Sequence, residues 1–141
     1  MTEIILAAKA KKKATWQALA ESVGLTDVFL VSACLGQNSL PAEHADKLCE
    51  ALDLAPAVSA ALQEFPTKGM DPALLQDPVI YRLQEIVYVY GPSIKAVIHE
   101  KLGDGIMSAI DFSMHIDKEP NPAGDRVNIR LSGKFLPYKR W

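Results

Sequence analysis

Apolar positions divide the chain into two parts with different periods. From residue 2 to about residue 64 they recur at helical intervals, and the pattern breaks at Gly24, at residues 36–41 and at residues 53–56. No strand-like alternation interrupts this part. Within it, TWQALAESVGLTDVFLVSACL places a short helix, a glycine-centred turn and a second helix in succession, which is the order of a helix-turn-helix. We therefore predict an all-helical N-terminal bundle.

A proline-rich segment separates the two parts. Residues 65–78, FPTKGMDPALLQDP, hold three prolines and a glycine, a composition typical of a linker. We accordingly predict an N-terminal domain over residues 1–70 and a C-terminal domain over residues 71–141.

Two helices are predicted at the start of the C-terminal domain. Asp77 can accept hydrogen bonds from the free backbone N–H groups of a helix that begins at Pro78, a position where proline loses no bond. The helical pattern then continues to Gly91, which predicts its end. Pro92 opens a second helix, SIKAVIHEKL, which is predicted to end at Gly103.

Beyond this glycine the period of the pattern changes to two. Apolar and polar residues alternate over residues 110–117 and again over residues 127–131. The segment KEPNPAGD supplies a turn between the two predicted strands. Since an isolated pair of strands is marginal in water and leaves its edges unpaired, we expect strands of a second copy to complete the sheet in a dimer. The predicted fold class of the whole chain is α+β.

Composition limits the class of protein. Hydrophobic residues make up 49% of the 141 residues and charged residues 23%, as is typical of globular proteins. No stretch approaches the apolar length that spans a bilayer, so we expect no membrane as a partner. The first residues, MTEIILAAKAKKK, place an apolar run before a basic cluster, the reverse of a secretory signal, which predicts a cytoplasmic protein. Cys34 and Cys49 have the spacing of neither a zinc site nor a disulfide framework.

Charge weighs against nucleic acid as a partner. The formal net charge is −2, whereas duplex DNA is bound through an excess of basic side chains. Between Thr15 and Glu64 the only lysine or arginine is Lys47. The second helix of the helix-turn-helix offers an acid and apolar residues, where a recognition helix needs side chains that reach bases and phosphates. A DNA-binding regulator with a C-terminal dimerisation domain is kept as the alternative function.

The helix that begins at Pro78 carries two different faces. At 100° per residue, one arc is a continuous apolar stripe that predicts a buried face: Val79, Ile80, Leu83, Ile86, Val87 and Tyr90. The opposite arc carries Arg82 and Glu85 among Tyr81, Gln84, Tyr88 and Val89, where a solvent-facing arc would carry more lysine and glutamate. We infer that this arc faces protein as well.

The spacing of Arg82 and Glu85 permits two interpretations. At three residues apart on a helix they can form a surface ion pair, worth a few tenths of a kcal/mol. Alternatively, Arg82 binds an anionic substrate, since a guanidinium grips planar oxyanions with a fork of donors, and Glu85 orients it. The spacing by itself leaves both open.

No metal site is predicted from the histidines. His99 and Glu100 begin like the zinc motif H-E-x-x-H, but Gly103 stands where the second histidine belongs. The run Gly103, Asp104, Gly105 lacks the lysine and the hydroxyl residue of a phosphate-binding loop, and we interpret it as a tight turn.

A longer set of residues runs from YRLQEIVYVYG through IKAVIHEKLGDGIMSAIDF to LSGKFLPY. This run resembles the cyanase family, also called cyanate hydratase or cyanate lyase, and the N-terminal part matches the family more loosely. The catalytic arginine and glutamate of the family's Y-R-x-x-E motif fall on Arg82 and Glu85. Its catalytic serine, in G-D-G-I-x-S-A-I, falls on Ser108, with Met107 in the variable place.

The resemblance implies a lyase that converts cyanate and bicarbonate to carbamate and carbon dioxide, the carbamate then giving ammonia and carbon dioxide. It implies no metal and no organic cofactor, since bicarbonate is a co-substrate. It also implies a homodecamer of five dimers with intertwined C-terminal strands, and an N-terminal bundle that looks like a DNA-binding domain without acting as one. In such an enzyme we expect Arg82 to bind the anions, Ser108 to orient one of them, and Glu85 to fix the arginine and relay a proton.

Overall fold

The computed structural model describes residues 1–67 and 71–139, which form an α+β chain as predicted. Helices come first and a two-stranded antiparallel sheet follows. In chain order the elements are α1 (Thr2–Lys12), α2 (Trp16–Val23), α3 (Asp27–Cys34), α4 (Ala42–Leu52), α5 (Pro56–Gln63), a 3-10 helix (Pro72–Gln76), α6 (Pro78–Leu102), β1 (Gly105–Glu119) and β2 (Arg126–Pro137).

The predicted breaks in the helical part are confirmed. Gly24, with φ 75°, ends α2 in the left-handed conformation that glycine adopts readily, and Asp53 ends α4 in the same way. One break was missed by the pattern. Lys13 ends α1 with φ 52°, and the hydroxyl of Thr15 accepts a hydrogen bond from the N–H of Ala18 at 3.1 Å, which caps α2.

The hydrophobic core belongs to the five N-terminal helices. Within the described ranges, every buried hydrophobic residue lies between Ile5 and Leu62. This core holds Ile5, Leu19, Ala20, Val23, Leu30, Ala33, Cys34, Leu40, Ala45, Leu48, Cys49, Leu52, Val58 and Leu62. Both thiols are free. Burial, followed by the nearby Cys49, raises the pKa of Cys34 to about 11, which makes it an inert core residue at neutral pH.

The described residues fall into two compact units. The N-terminal unit holds α1 to α5 and the outer part of the hairpin, Ser113–Ser132. The C-terminal unit holds the 3-10 helix, α6 and the base of the hairpin. The domain boundary predicted between residues 70 and 71 touches residues 68–70, which lie outside the described residues, and it stays a prediction.

Within the predicted linker, a 3-10 helix that the composition did not indicate occupies Pro72–Gln76. The carboxylate of Asp71 accepts a hydrogen bond from the N–H of Ala73 at 2.9 Å and starts this helix. Asp77 caps α6 as predicted, accepting from the N–H of Val79 at 2.8 Å and from that of Ile80 at 3.1 Å.

The prediction of two helices separated at Gly91 is also wrong. α6 is a single helix of 25 residues with Pro92 inside it. Proline removes one N–H and crowds the carbonyl of Tyr88, four residues earlier, at a cost of about 3 kcal/mol. Fourteen residues of α6 precede Pro92 and ten follow it, so the helix continues on both sides, and Gly91 presents no Cβ to the proline ring. The end at Gly103 is confirmed, with φ 90°.

The predicted strands are confirmed and are longer than the alternating segments that indicated them. The loop between them is closed by Asn121, whose side-chain oxygen accepts from the N–H of Ala123 at 2.9 Å. An ion pair between Lys118 and Asp125 joins the two ends of this loop at 2.5 Å.

The apolar stripe of α6 is not buried within one chain, contrary to prediction. No residue of Pro78–Leu102 is buried. Val87 remains 64% exposed and, on the opposite arc, Tyr88 remains 75% exposed. The helical period indicates a face that requires cover, but it does not say that the cover comes from the same chain. That the opposite arc also faces protein stays a prediction.

Among the described residues, no helix combines the length and the apolar character needed to cross a bilayer.

Candidate anion site

Arg82 and Glu85 form an ion pair on the first half of α6. The cap at Asp77 fixes where the helix begins, and the three-residue spacing then places both side chains on one face. Nη1 of Arg82 lies 2.6 Å from Oε2 of Glu85. In the single chain the two side chains are 72% and 43% exposed, so the pair contributes a few tenths of a kcal/mol to stability at most.

A recess of about 290 Å³ lies beside this pair. Its lining consists of Arg82, Glu85, Ile86, Val89 and Tyr90. A guanidinium carries five N–H donors, and the ion pair with Glu85 uses one of them. The remaining donors and the apolar walls can hold a small planar anion, because the charge is offset by arginine and the walls exclude part of the solvent.

Among the described residues of the C-terminal unit, Ser108 is the buried polar residue. It lies on β1 and is 8% exposed. Its Oγ accepts hydrogen bonds from the N–H of Ile110 at 3.1 Å and from the N–H of Asp111 at 3.0 Å. Because a hydroxyl has two acceptor positions and one proton, these bonds leave the proton of Ser108 free to donate.

One chain assembles part of the predicted site. Arg82 and Glu85 are brought together, whereas Ser108 is not among the residues that line the recess beside them. The catalytic roles of all three residues stay predictions. The sequence reading missed the two backbone N–H groups that hold Ser108, because a main-chain donor leaves no signal in residue type. The sequence did indicate the apolar walls of the recess, because Ile86 and Val89 follow Arg82 and Glu85 by four residues and therefore lie beside them on the helix.

The glycine-rich run before Ser108, residues 103–105, turns the chain from α6 into β1, as interpreted from the sequence, and several contacts hold it in place. The two ring nitrogens of His99 lie 3.2 Å from the carbonyl oxygen of Gly105 and 3.3 Å from the carboxylate of Asp104. The N–H of Tyr138 donates to the carbonyl oxygen of Asp104 at 3.0 Å. In the part of the chain that the structure describes, no group of three or more His, Cys, Asp or Glu residues could hold a metal ion.

The helix-turn-helix is present as α2 and α3, but its chemistry does not suit DNA. α3 begins with Asp27 and exposes Phe29, and Leu35, which follows its last residue, is exposed as well. Lys47, the one lysine of this region, pairs with Glu43 at 2.7 Å, and that hydrogen bond lowers the pKa of the Glu43 carboxyl. A lysine engaged in this way gives little support to phosphate binding.

A guanidinium with free donors, beside its carboxylate partner and a recess, forms a candidate site for a small anion. Comparison with known proteins names the family. The chain matches the model "Cyanate hydratase, N-terminal" over residues 1–66 and the model "Cyanate lyase C-terminal domain" over residues 72–140. The chain belongs to the cyanate lyase family, and the resemblance seen in the sequence is confirmed.

Individual relatives agree with this assignment. A cyanate hydratase of Marinomonas sp. is 58% identical over 100% of this chain and 97% of its own length. One of Pseudomonas putida is 56% identical with the same coverage. The crystal structure of a cyanase from T. urticae has a TM-score of 0.88 and 37% identity, covering 97% of this chain and 96% of that one. These matches favour the lyase over the regulator that the helix-turn-helix suggested.

Proposed function

We propose that this chain is a cyanate hydratase. It combines cyanate with bicarbonate and releases carbon dioxide and carbamate, which breaks down to ammonia and a second carbon dioxide. The full-length match to the cyanate lyase family is the observation that carries the proposal. The Arg82 and Glu85 pair beside a recess on α6 supports it, since both substrates are small anions.

The reaction requires two like charges to meet. An oxygen of bicarbonate attacks the carbon of cyanate, and the adduct carries both negative charges. The nitrogen receives the proton of bicarbonate and takes up one more, and loss of carbon dioxide then leaves carbamate with one charge. Arg82 offsets the repulsion during this step through the donors that Glu85 leaves free. Holding both anions in one recess also removes much of the entropic barrier to their encounter.

Ser108 and Glu85 have different roles in this proposal. Ser108 donates its hydroxyl proton to an oxygen of one anion, because its acceptor positions are filled by backbone N–H groups. Glu85 holds Arg82 in place and relays the proton that the nitrogen takes up.

Ammonia release tests the proposed function. The purified chain should release ammonia from cyanate when bicarbonate is present and stop when carbon dioxide and bicarbonate are removed. A reaction without protein corrects for spontaneous hydrolysis of cyanate. Ammonia release at the same rate without bicarbonate would contradict the proposal.

Dialysis against EDTA should leave the rate unchanged, since no metal or organic cofactor takes part in the proposed reaction. The cytoplasmic location stays a prediction from the sequence.

We also propose that the chain works as a homo-oligomer, a decamer built from five dimers. The support is the uncovered apolar surface of the C-terminal unit and of the hairpin. α6 buries none of its residues, and Ile110 on β1 is 97% exposed. A surface of this extent in one chain is typical of an interface. Strands of a second copy would also pair the free edges of β1 and β2.

Light scattering should give a mass near ten chains for the purified protein. Ile110→Asp should yield a smaller species, since a charge on a covered apolar face is costly to desolvate. Ile110→Val is the control, because it keeps an apolar residue at the same position and should retain the wild-type mass. A monomeric wild-type chain that decomposes cyanate at full rate would contradict the proposed assembly.

A further inference from the structure

Gly133 is the residue of β2 that lies against Ser108. A Cβ atom added to Gly133 would overlap the carbonyl oxygen of Ser108 and the side chain of Met107. Gly133 is not among the residues with positive φ in the described part of the chain. Space, rather than backbone conformation, is therefore the reason for glycine at this position.

The two overlaps differ in what can move. The side chain of Met107 is flexible and can turn away, whereas the carbonyl oxygen of Ser108 is part of the backbone of β1. Displacing that carbonyl moves the peptide unit that leads to the N–H groups of Ile110 and Asp111. Those two N–H groups donate hydrogen bonds to the Ser108 hydroxyl oxygen at 3.1 and 3.0 Å, and a shift of a few tenths of an ångström weakens both bonds.

We infer that Gly133 is a positioning residue for the hydroxyl of Ser108. Its missing side chain lets β2 lie against β1 without moving the Ser108 backbone, and the two backbone N–H groups then direct the hydroxyl proton towards the bound anion. This inference rests on the proposed function, in which Ser108 donates to a substrate oxygen. It adds to the proposed site a residue of β2, the neighbouring strand of the same chain, which lies outside the two catalytic motifs.

Gly133→Ala is expected to lower kcat for cyanate decomposition by about 10- to 100-fold, because a misplaced catalytic group costs up to roughly 100-fold per ångström. The KM for cyanate should change less than threefold, since Arg82 remains in place to bind the anion. Steady-state ammonia release at several cyanate and bicarbonate concentrations separates the two constants.

A double-mutant cycle tests whether Gly133 acts through Ser108. In a Ser108→Ala background, Gly133→Ala should cause no further loss of kcat, because the hydroxyl that it positions is already absent. Gly105→Ala is the matched control: its Cβ would meet the carbonyl oxygen of Leu136 and the ring of Phe135, an equal overlap in the same hairpin. The loss caused by Gly105→Ala should add to that of Ser108→Ala.

A third variant separates the backbone overlap from the side-chain overlap. Met107→Ala combined with Gly133→Ala relieves the contact with Met107 only, so it should remain as slow as Gly133→Ala. Full recovery in this variant would overturn the inference, and so would a wild-type kcat in Gly133→Ala.

Assembly and amide exchange complete the test. Gly133→Ala should keep the wild-type mass, and failure to do so would overturn a positioning role in favour of a structural one. Independently of that variant, Ser108→Ala should speed hydrogen exchange at the N–H groups of Ile110 and Asp111; unchanged exchange would also overturn the inference. If the wild-type chain released no ammonia from cyanate, the proposed function itself would fail instead.

Discussion

Replacing Arg82 by alanine should lower kcat/KM for cyanate decomposition by about 1,000-fold, with the oligomeric mass unchanged. Two unit charges 4 Å apart repel by about 1 kcal/mol in water and by about 4 kcal/mol at the effective dielectric of a protein surface. Arg82 offsets this repulsion in the dianionic adduct, and about 4 kcal/mol corresponds to roughly three powers of ten in rate. Steady-state ammonia release, corrected for the reaction without protein, measures the loss.

The size of the loss reports how well the site is covered. In the single chain the Arg82 side chain is 72% exposed, and at that exposure water would reduce the offset to about 1 kcal/mol, a fivefold effect. The expected 1,000-fold loss therefore depends on another copy covering α6. A loss of only fivefold would contradict a site enclosed between subunits while leaving Arg82 as an anion-binding residue.

Two further variants separate charge from geometry at this position. Arg82→Lys keeps the positive charge but loses the fork of donors, so its rate should lie between those of the wild type and Arg82→Ala. Arg126→Ala removes an exposed arginine of the hairpin and should leave the rate unchanged. Equal losses in Arg82→Ala and Arg126→Ala would contradict a specific role for Arg82.

Local signals in the sequence predicted most helix ends correctly. Asp77 with Pro78 and the glycines at positions 24 and 103 act within one turn of the residue itself, through a side-chain oxygen or a permitted φ. The same local reasoning failed at Pro92, because whether a helix survives a proline depends on the bonds of both flanks. The cost of the proline and the stability of the two flanks involve all 25 residues of the helix, so the residues next to the proline do not predict the outcome.

Burial was the least predictable property. The apolar stripe on α6 has the period of a core-facing helix, yet all of its residues remain uncovered or partly covered in one chain. A helical period of apolar residues indicates that one face of the helix is buried. The period is the same whether that face packs against its own chain or against a second copy. Within the N-terminal unit, α1 to α5 enclose their own core, as expected for the all-helical bundle that was predicted there.

Part of the candidate site could likewise be predicted from the sequence, and part of it could not. The three-residue spacing predicted that Arg82 and Glu85 would meet, and they do. No spacing rule relates either of them to Ser108, which lies on a strand, so the sequence could join these residues only through a resemblance to a family. The backbone N–H groups that hold the hydroxyl, and the glycine of β2 beside it, became visible only in the structure.

Replacing Ser108 by alanine should lower kcat by about 100- to 1,000-fold, the usual cost of removing one donor aimed at developing charge. The KM values should change much less, because Arg82 carries most of the attraction for the anions. Ser113→Ala, which removes a hydroxyl farther along the same strand, is the control and should retain the wild-type kcat.

A cysteine at this position distinguishes a donor from a nucleophile. Ser108→Cys supplies a stronger nucleophile but a weaker hydrogen-bond donor. If Ser108 serves as a donor, Ser108→Cys should be nearly as slow as Ser108→Ala, and mass spectrometry of the wild-type chain during turnover should find no covalent adduct on Ser108. The bonds from Ile110 and Asp111 agree with this outcome, because they occupy the lone pairs that a nucleophile would use. A fast Ser108→Cys variant with a carbamoylated thiol would show that the residue attacks cyanate directly.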